Sequence, residues 1–285
     1  MALTTYSIPH RWGVAPVWTG EVDFGDDDDA ATRLGKAVVA ANLDGARLDG
    51  ANLDGARLDG ANLVGARLDG ASLVGARLVG ASLDGASLVG ARLDGASLVG
   101  ARLVGASLVG ARLDRANLVG ASLDGARLVG ARLDGASLDG ARLVGASLVG
   151  ARLVGASLVG ASLVGARLDR ANLDGARLDR ANLDGARLVG ARWGAGATYG
   201  HGTPITRAPI IITGLHWSVL IFDSHMKIGC ELHSLTDWDR FSDRRIAQMD
   251  GRAALNFWRA NKVPLLAMAR ANGRVWGAPE ADEAA

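Results

Sequence analysis

Hydrophobic positions in this chain recur with a period of five across residues 41–190, through thirty consecutive units without insertion or deletion. Every unit begins with Ala and carries Leu third, while the second position is Asn, Ser or Arg and the fourth is Asp or Val. Gly closes all but three units, where Arg115, Arg170 and Arg180 stand instead. A period of five drifts around a 3.6-residue turn, so a helix would gather no leucine stripe, and each glycine would oppose it by about 1 kcal/mol relative to alanine. Collagen needs Gly every third residue, and a Leu in every unit is too much regular apolar surface for disorder. Extended geometry fits. Positions one and three then face one way, two and four the other, so Ala and Leu point inward. Glycine permits the backbone angles of a corner. Repeated corners coil the chain, with successive coils paired at about 4.8 Å. Open coils expose edges and leucines, so both ends need caps.

The flanks offer those caps. In the N-terminal region, residues 1–40, the run 17–24 reads as a strand and 30–41 as a short helix. The four aspartates Asp26 to Asp29 favour that helix's positive end; as a calcium loop they lack EF-hand spacing. The C-terminal region, residues 193–277, has normal complexity and reads as α+β. Strands are expected at 209–213 and 216–223, and Thr236 with Asp239 reads as a cap for a short helix. A longer helix is expected from Asp250 to about residue 271, bending at Pro264 and stopping at Asn272-Gly273. Residues 278–285 read as a disordered tail.

Units such as Ala41-Asn42-Leu43-Asp44-Gly45 resemble those of the pentapeptide-repeat family, over just over half of the chain. The resemblance implies a mainly β fold, a right-handed quadrilateral β-helix spanning 41–192, with one unit per side and Leu and Ala filling the interior. Taking every fourth unit as one side, Leu43, Leu63, Leu83, Leu103, Leu123, Leu143, Leu163 and Leu183 form a core ladder. Shorter segments, Trp18-Thr19-Gly20, 224–230 and 249–252, are similar to uncharacterised pentapeptide-repeat proteins of bacteria and their phages and imply no activity.

Charge and chemistry narrow the function. The net charge of +1 provides no global field toward nucleic acid or membrane. The single cysteine, Cys230, allows no internal disulfide and suits a reducing compartment. The first residues lack a signal-peptide pattern, and the most apolar stretch, 209–222, is too short and polar to span a bilayer. A cytoplasmic protein is expected. The repeat uses eight residue types and contains no His, Cys, Glu, Lys or Tyr, and nothing on an open wall activates its Asp and Ser for catalysis. Its outer faces offer binding instead. Val89, Val109, Val129 and Val149 stack as an aliphatic ladder beside Ser87, Ser107 and Ser147, either a contact face or valine tolerated on a strand. Arg92, Arg112, Arg132 and Arg152 stack as a possible nucleic-acid stripe, which Asp94, Asp114 and Asp134 would largely cancel.

Some pentapeptide-repeat proteins bind DNA gyrase as strongly acidic rods imitating DNA. Here the units hold 17 Arg and 15 Asp, and a near-neutral rod is a poor mimic of a polyanion. Ice binding is disfavoured because no threonine occurs in the repeat. One reactive cluster remains, His216, Asp223, His225, Cys230 and His233. His225, Cys230 and His233 are ligand types that zinc uses, without paired-ligand spacing; the favoured reading is a buried small thiol and ordinary hydrogen-bonded histidines on a strand-loop segment. The leading expectation is a non-enzymatic scaffold without cofactor, binding an unidentified protein or a second copy. A gyrase or topoisomerase modulator and a metal-binding or enzymatic C-terminal module are the alternatives.

Overall fold

Each corner of the repeat is closed by one local hydrogen bond. The position-one N–H donates to the carbonyl of the Leu three residues earlier, as from Ala91 to Leu88 at 3.1 Å and from Ala121 to Leu118 at 3.0 Å. The glycine between them sits at positive φ, 65° at Gly90 and 64° at Gly120, and no described position-four residue does. That combination defines a type II turn, whose third residue favours Gly. Arg115, Arg170 and Arg180 adopt the same corner at φ 60°, 58° and 59°.

The computed structural model describes residues 3–13, 15–43, 45–194, 196–200 and 203–276, leaving the expected tail at 278–285 outside the described residues. Two compact units divide the chain, Met1–Gly202 and Thr203–Ala285. In the first, position-two residues bridge in parallel to those twenty residues on, from Arg47↔Arg67 through Arg112↔Arg132 to Asn172↔Arg192, and the last bridge, Arg177↔Thr198, is one residue longer. Twenty residues are four units, so each coil has four sides. A side is only a few extended residues between two corners, and it contributes a single bridged residue where the sequence suggests strands. Between coils, Leu53 N–H donates to Ser72 O at 2.7 Å, Gly55 N–H to Val74 O at 3.0 Å, and Ser72 N–H to Ala51 O at 2.8 Å. The position-three leucines from Leu48 to Leu183 are at most 1% exposed, including Leu63, Leu83, Leu103, Leu123, Leu143 and Leu163.

Leu43 does not join that ladder as a coil residue. It ends helix α1, Ala30–Leu43, because the first unit has no preceding coil to take its backbone hydrogen bonds, whereas a helix satisfies them internally. Ala46 N–H donates to Ala41 O at 2.9 Å and Gly45 N–H to Asn42 O at 3.0 Å. With Gly45 at φ 70°, this is a Schellman C-cap. At the other end of α1, Asp29 caps Thr32 N–H at 2.9 Å, and Asp28 accepts from Gly25 N–H at 2.7 Å and Lys36 Nζ at 2.6 Å. The Lys36 bond, ahead of the opposing effect of burial, holds the Asp28 carboxyl below its usual value.

An antiparallel hairpin, β1 (Leu3–Ile8) with β2 (Trp18–Asp23), completes the N-terminal cap. His10 bridges Ala51, Asn52 N–H donates to Pro9 O at 2.8 Å, and Arg57 N–H donates to Ala31 O at 3.0 Å. These contacts occupy the first coil's free edge. At the far end the coil continues past the boundary drawn at 192. Arg192 and Thr198, the latter in the two-residue strand β3 (Thr198–Tyr199), still bridge backwards. Trp193 and Tyr199, 6% and 2% exposed, take the inward position that Leu holds elsewhere. Tyr199 donates its hydroxyl to Ala181 O at 2.9 Å; burial, then the charge of Asp184, pushes its phenol pKa up.

The second unit opens with β4 (Thr203–Pro204) and carries the antiparallel sheet β5 (Ile210–Ile212), β6 (Val219–Ile221), β7 (His225–Ile228) and β8 (Glu231–Ser234). The β7–β8 hairpin adds two strands beyond those expected at 209–213 and 216–223. Helix α2, Leu235–Arg240, is capped by Ser234, whose hydroxyl accepts from Asp237 N–H at 3.0 Å, so Thr236 and Asp239 are not its cap. Helix α3, Asp243–Ala271, starts at the Ser242 cap, leaves helical angles at Asp250 (φ −151°, ψ 47°) and Gly251 (φ 58°, ψ −143°), and contains Pro264 without a further departure. The break falls at Gly251 because positive φ costs glycine little. Val219, Met226, Leu235, Trp238, Ile246 and Trp258 meet in this unit's core.

Candidate interaction surfaces and the C-terminal cluster

Most of the described position-four aspartates are wired between coils by hydrogen bonds, Asp94 being an exception. One carboxylate oxygen accepts the N–H of the position-four residue one coil on, as Asp69 does from Val89 (2.9 Å), Asp84 from Val104 (2.9 Å) and Asp124 from Val144 (3.0 Å). The second side-chain contact comes from position two of that next coil. Arg102 reaches Asp84 at 2.6 Å, Arg142 reaches Asp124 at 2.7 Å and Arg152 reaches Asp134 at 2.9 Å, while the Ser72, Ser87 and Ser157 hydroxyls donate to Asp54, Asp69 and Asp139 at 2.5 Å. Asn at position two meets the same backbone need from within its own unit, as Asn117 does for Val119 N–H at 3.1 Å and Asn182 for Asp184 N–H at 2.9 Å. The sequence reading missed this Asp and Asn accounting because a linear repeat does not display residues eighteen and twenty apart as neighbours.

The arginine stripe is therefore largely neutralised. Arg132 pairs with Asp114 at 2.9 Å and Arg112 meets Asp94 at 3.4 Å. Among the described residues of the repeat, Arg115, Arg127, Arg170 and Arg180 lack an ion-pair partner. On the wall bearing Val89, Val109, Val129 and Val149 no position-four carboxylate lies between Asp69 and Asp169. Val89 is 41% exposed and the other three are half-buried. From Ser87 to Val149 this side also carries Ser107 and Ser147, with Arg127 as the one charge in that span.

Coils of four five-residue sides, cornered by glycine and filled by Leu and Ala, match one known repeat. The sequence profile of pentapeptide repeats, eight copies, fits residues 39–75, 61–100, 96–135, 126–163 and 161–192. The chain belongs to the pentapeptide-repeat family. Solved structures similar to it are pentapeptide-repeat proteins. HetL, involved in heterocyst differentiation regulation in the cyanobacterium Nostoc sp. strain PCC 7120, is 35% identical, with 55% of this chain and 80% of HetL covered and a TM-score of 0.48. Rfr23 of the cyanobacterium Cyanothece 51142 is also 35% identical, over 34% of this chain and 63% of Rfr23, TM-score 0.25. A trypsin-treated form of QnrB1, a plasmid-mediated fluoroquinolone resistance protein, is 20% identical over 52% of this chain and 84% of its own, TM-score 0.36. No curated protein sequence matches.

Outside the pentapeptide-repeat coils, the hairpin pulls the C-terminal candidates apart. His225 opens β7 opposite Ser234, and His233 lies opposite Met226, so both are at one end. Cys230 is at the other end, several strand steps of about 3.3 Å away, and is exposed rather than the buried thiol expected, because it sits in the β7–β8 turn. His233 Nε2 contacts Glu231 at 2.8 Å, and its ring meets Trp238 and Phe241 edge-on at 5.4 and 5.0 Å. His225 Nδ1 contacts Ser224 Oγ at 2.9 Å, and His216 packs on Trp217 at 4.5 Å. Among the described residues no three His, Cys, Asp or Glu are grouped to hold a metal ion.

Asp223 has a structural task. It accepts from Thr206, from Arg207 Nε at 3.1 Å and from the nearly buried Arg274 at 3.0 Å. Burial would raise its pKa, but the Thr206 and Arg207 hydrogen bonds and the Arg274 charge hold it below the usual carboxylate value. No described helix is long and apolar enough to cross a membrane.

Proposed function

We propose that this protein is a non-enzymatic scaffold, a capped solenoid with the right-handed sense its family implies, whose wall at Val89, Val109, Val129 and Val149 binds another protein. One observation supports the placement. Most described carboxylates on the other sides accept hydrogen bonds from the next coil, while four successive coils of this side present valine and, with one exception, serine. An apolar strip on a flat, stiff surface favours a protein partner, since aliphatic contact excludes water without charge matching. The partner is unidentified and includes a second copy of the chain.

The test compares the full chain with a Val109→Glu/Val129→Glu variant in affinity capture from lysate and in sedimentation. Both positions are outward, so the coil should keep its circular dichroism. A retained protein or a self-association lost in the variant supports the wall, and identical behaviour of the two overturns it. A change in plasmid supercoiling on adding purified protein to a topoisomerase reaction would instead favour a modulator of that enzyme.

A further inference from the structure

The second unit carries a half-open cavity of about 330 Å³ whose lining differs in kind from the solenoid wall. Four of its side chains are aromatic: Trp217, Trp238, Phe257 and Trp258. They pack as two pairs, Trp217 with Phe257 at 5.1 Å and 72°, and Trp238 with Trp258 at 5.0 Å and 43°. Two further lining residues are carboxylates, Glu231 from β8 and Asp250 at the break in α3, and no Lys, Arg or His lines it. Glu231 keeps one oxygen on His233. The Asp250 side chain has no hydrogen bond or ion pair to any described residue, and the residue is exposed.

We propose that this cavity binds a small alkylated ammonium compound, its cationic head against the aromatic rings and its charge countered by Asp250 and Glu231. The lining selects among ligand classes. An anion would meet two carboxylates and no base. A hard metal ion needs about six oxygen ligands, which a wall of rings and aliphatic groups does not supply. A neutral apolar compound would fill the space but make no use of the carboxylates. An ammonium carrying methyl groups is the cation that sheds water most readily and is attracted to the negative faces of Trp and Phe. The volume lies at the lower end of small-molecule sites, enough for a methylated head with a short body. The break in α3 at Asp250 and Gly251 contributes by carrying a carboxylate to the cavity edge. This assignment is independent of the wall reading and stands or falls without it.

The full chain is titrated at constant ionic strength with choline and with 3,3-dimethylbutanol, the same shape with carbon in place of the charged nitrogen, following tryptophan fluorescence. Saturable binding of choline is expected, with the neutral isostere at least about tenfold weaker. Asp250→Asn, an exposed change that leaves the backbone its conformation, is expected to weaken choline several-fold without altering the isostere or the circular dichroism. Equal affinity for the two compounds overturns the proposal, leaving only an apolar void. So does the absence of saturation by choline up to about 50 mM, beyond the weakest affinities a built site shows.

Discussion

Arg115, Arg170 and Arg180 do in side-chain form what glycine does at the other corners, and they do it at a cost. The left-handed region brings Cβ against the carbonyl for about 1–2 kcal/mol, offset in part because glycine loses more freedom on folding. Arg115→Gly is therefore expected to stabilise the protein by about 0.5–1 kcal/mol, read as a higher denaturant midpoint at unchanged slope. The aspartate clamp predicts the opposite sign. Asp134→Ala removes the acceptor of Val154 N–H and of Arg152, with an expected loss of about 1 kcal/mol by the same measurement. At this scale the inward Leu and Ala and the corner Gly were legible, because each answers a local geometric demand. The choice between Asp and Asn was not, because it depends on which residue lies one coil away.

Among the elements, α1 and the end of α3 show how single contacts position a segment. A Cβ at Gly35 would lie 1.8 Å from Arg57 O, so α1 crosses the first coil backbone to backbone. Gly35→Ala would help an isolated helix by about 1 kcal/mol, yet is expected to destabilise the protein by about 1–3 kcal/mol through overpacking, measured as a lower melting temperature. Asp223 fastens the strand edge to the chain after α3, where Val275 N–H donates to its carbonyl at 2.7 Å and Arg274 reaches Ala208 O at 2.7 Å. Asp223→Asn is expected to cost about 3 kcal/mol near neutral pH, since it strands a largely buried Arg274. Because the folded carboxyl has the lowered pKa, its contribution is complete above the unfolded value, about 3.9, and fades as pH falls through the folded one. The gap between wild type and variant should thus close on acidification; a gap independent of pH would refute the charge argument.

Over the whole molecule the repeat is close to degenerate, since one unit looks much like the next and a slip of four would preserve every inward residue. The N-terminal cap removes that freedom through contacts found only once, among them Pro9 with Asn52 and Ala31 with Arg57. Deleting residues 1–40 is expected to lower and broaden the thermal transition of the solenoid unit, followed by circular dichroism; a transition as sharp as that of the intact chain would show that the coils hold register unaided.

Period, inward face and corner were determined by the sequence alone, because a five-residue unit with Leu, Ala and Gly at set places has only one way to bury its apolar side chains. The number of sides entered through family resemblance, and the tertiary structure showed it in the twenty-residue offset of the bridges. The helical fate of the first unit, the continuation of the coil through Trp193 and Tyr199, the hairpin that parts His225 from Cys230 and the break at Asp250 were decided by packing. Each depends on whether a neighbour is present to take a hydrogen bond or cover an apolar face, which is a property of distant residues rather than of the local string.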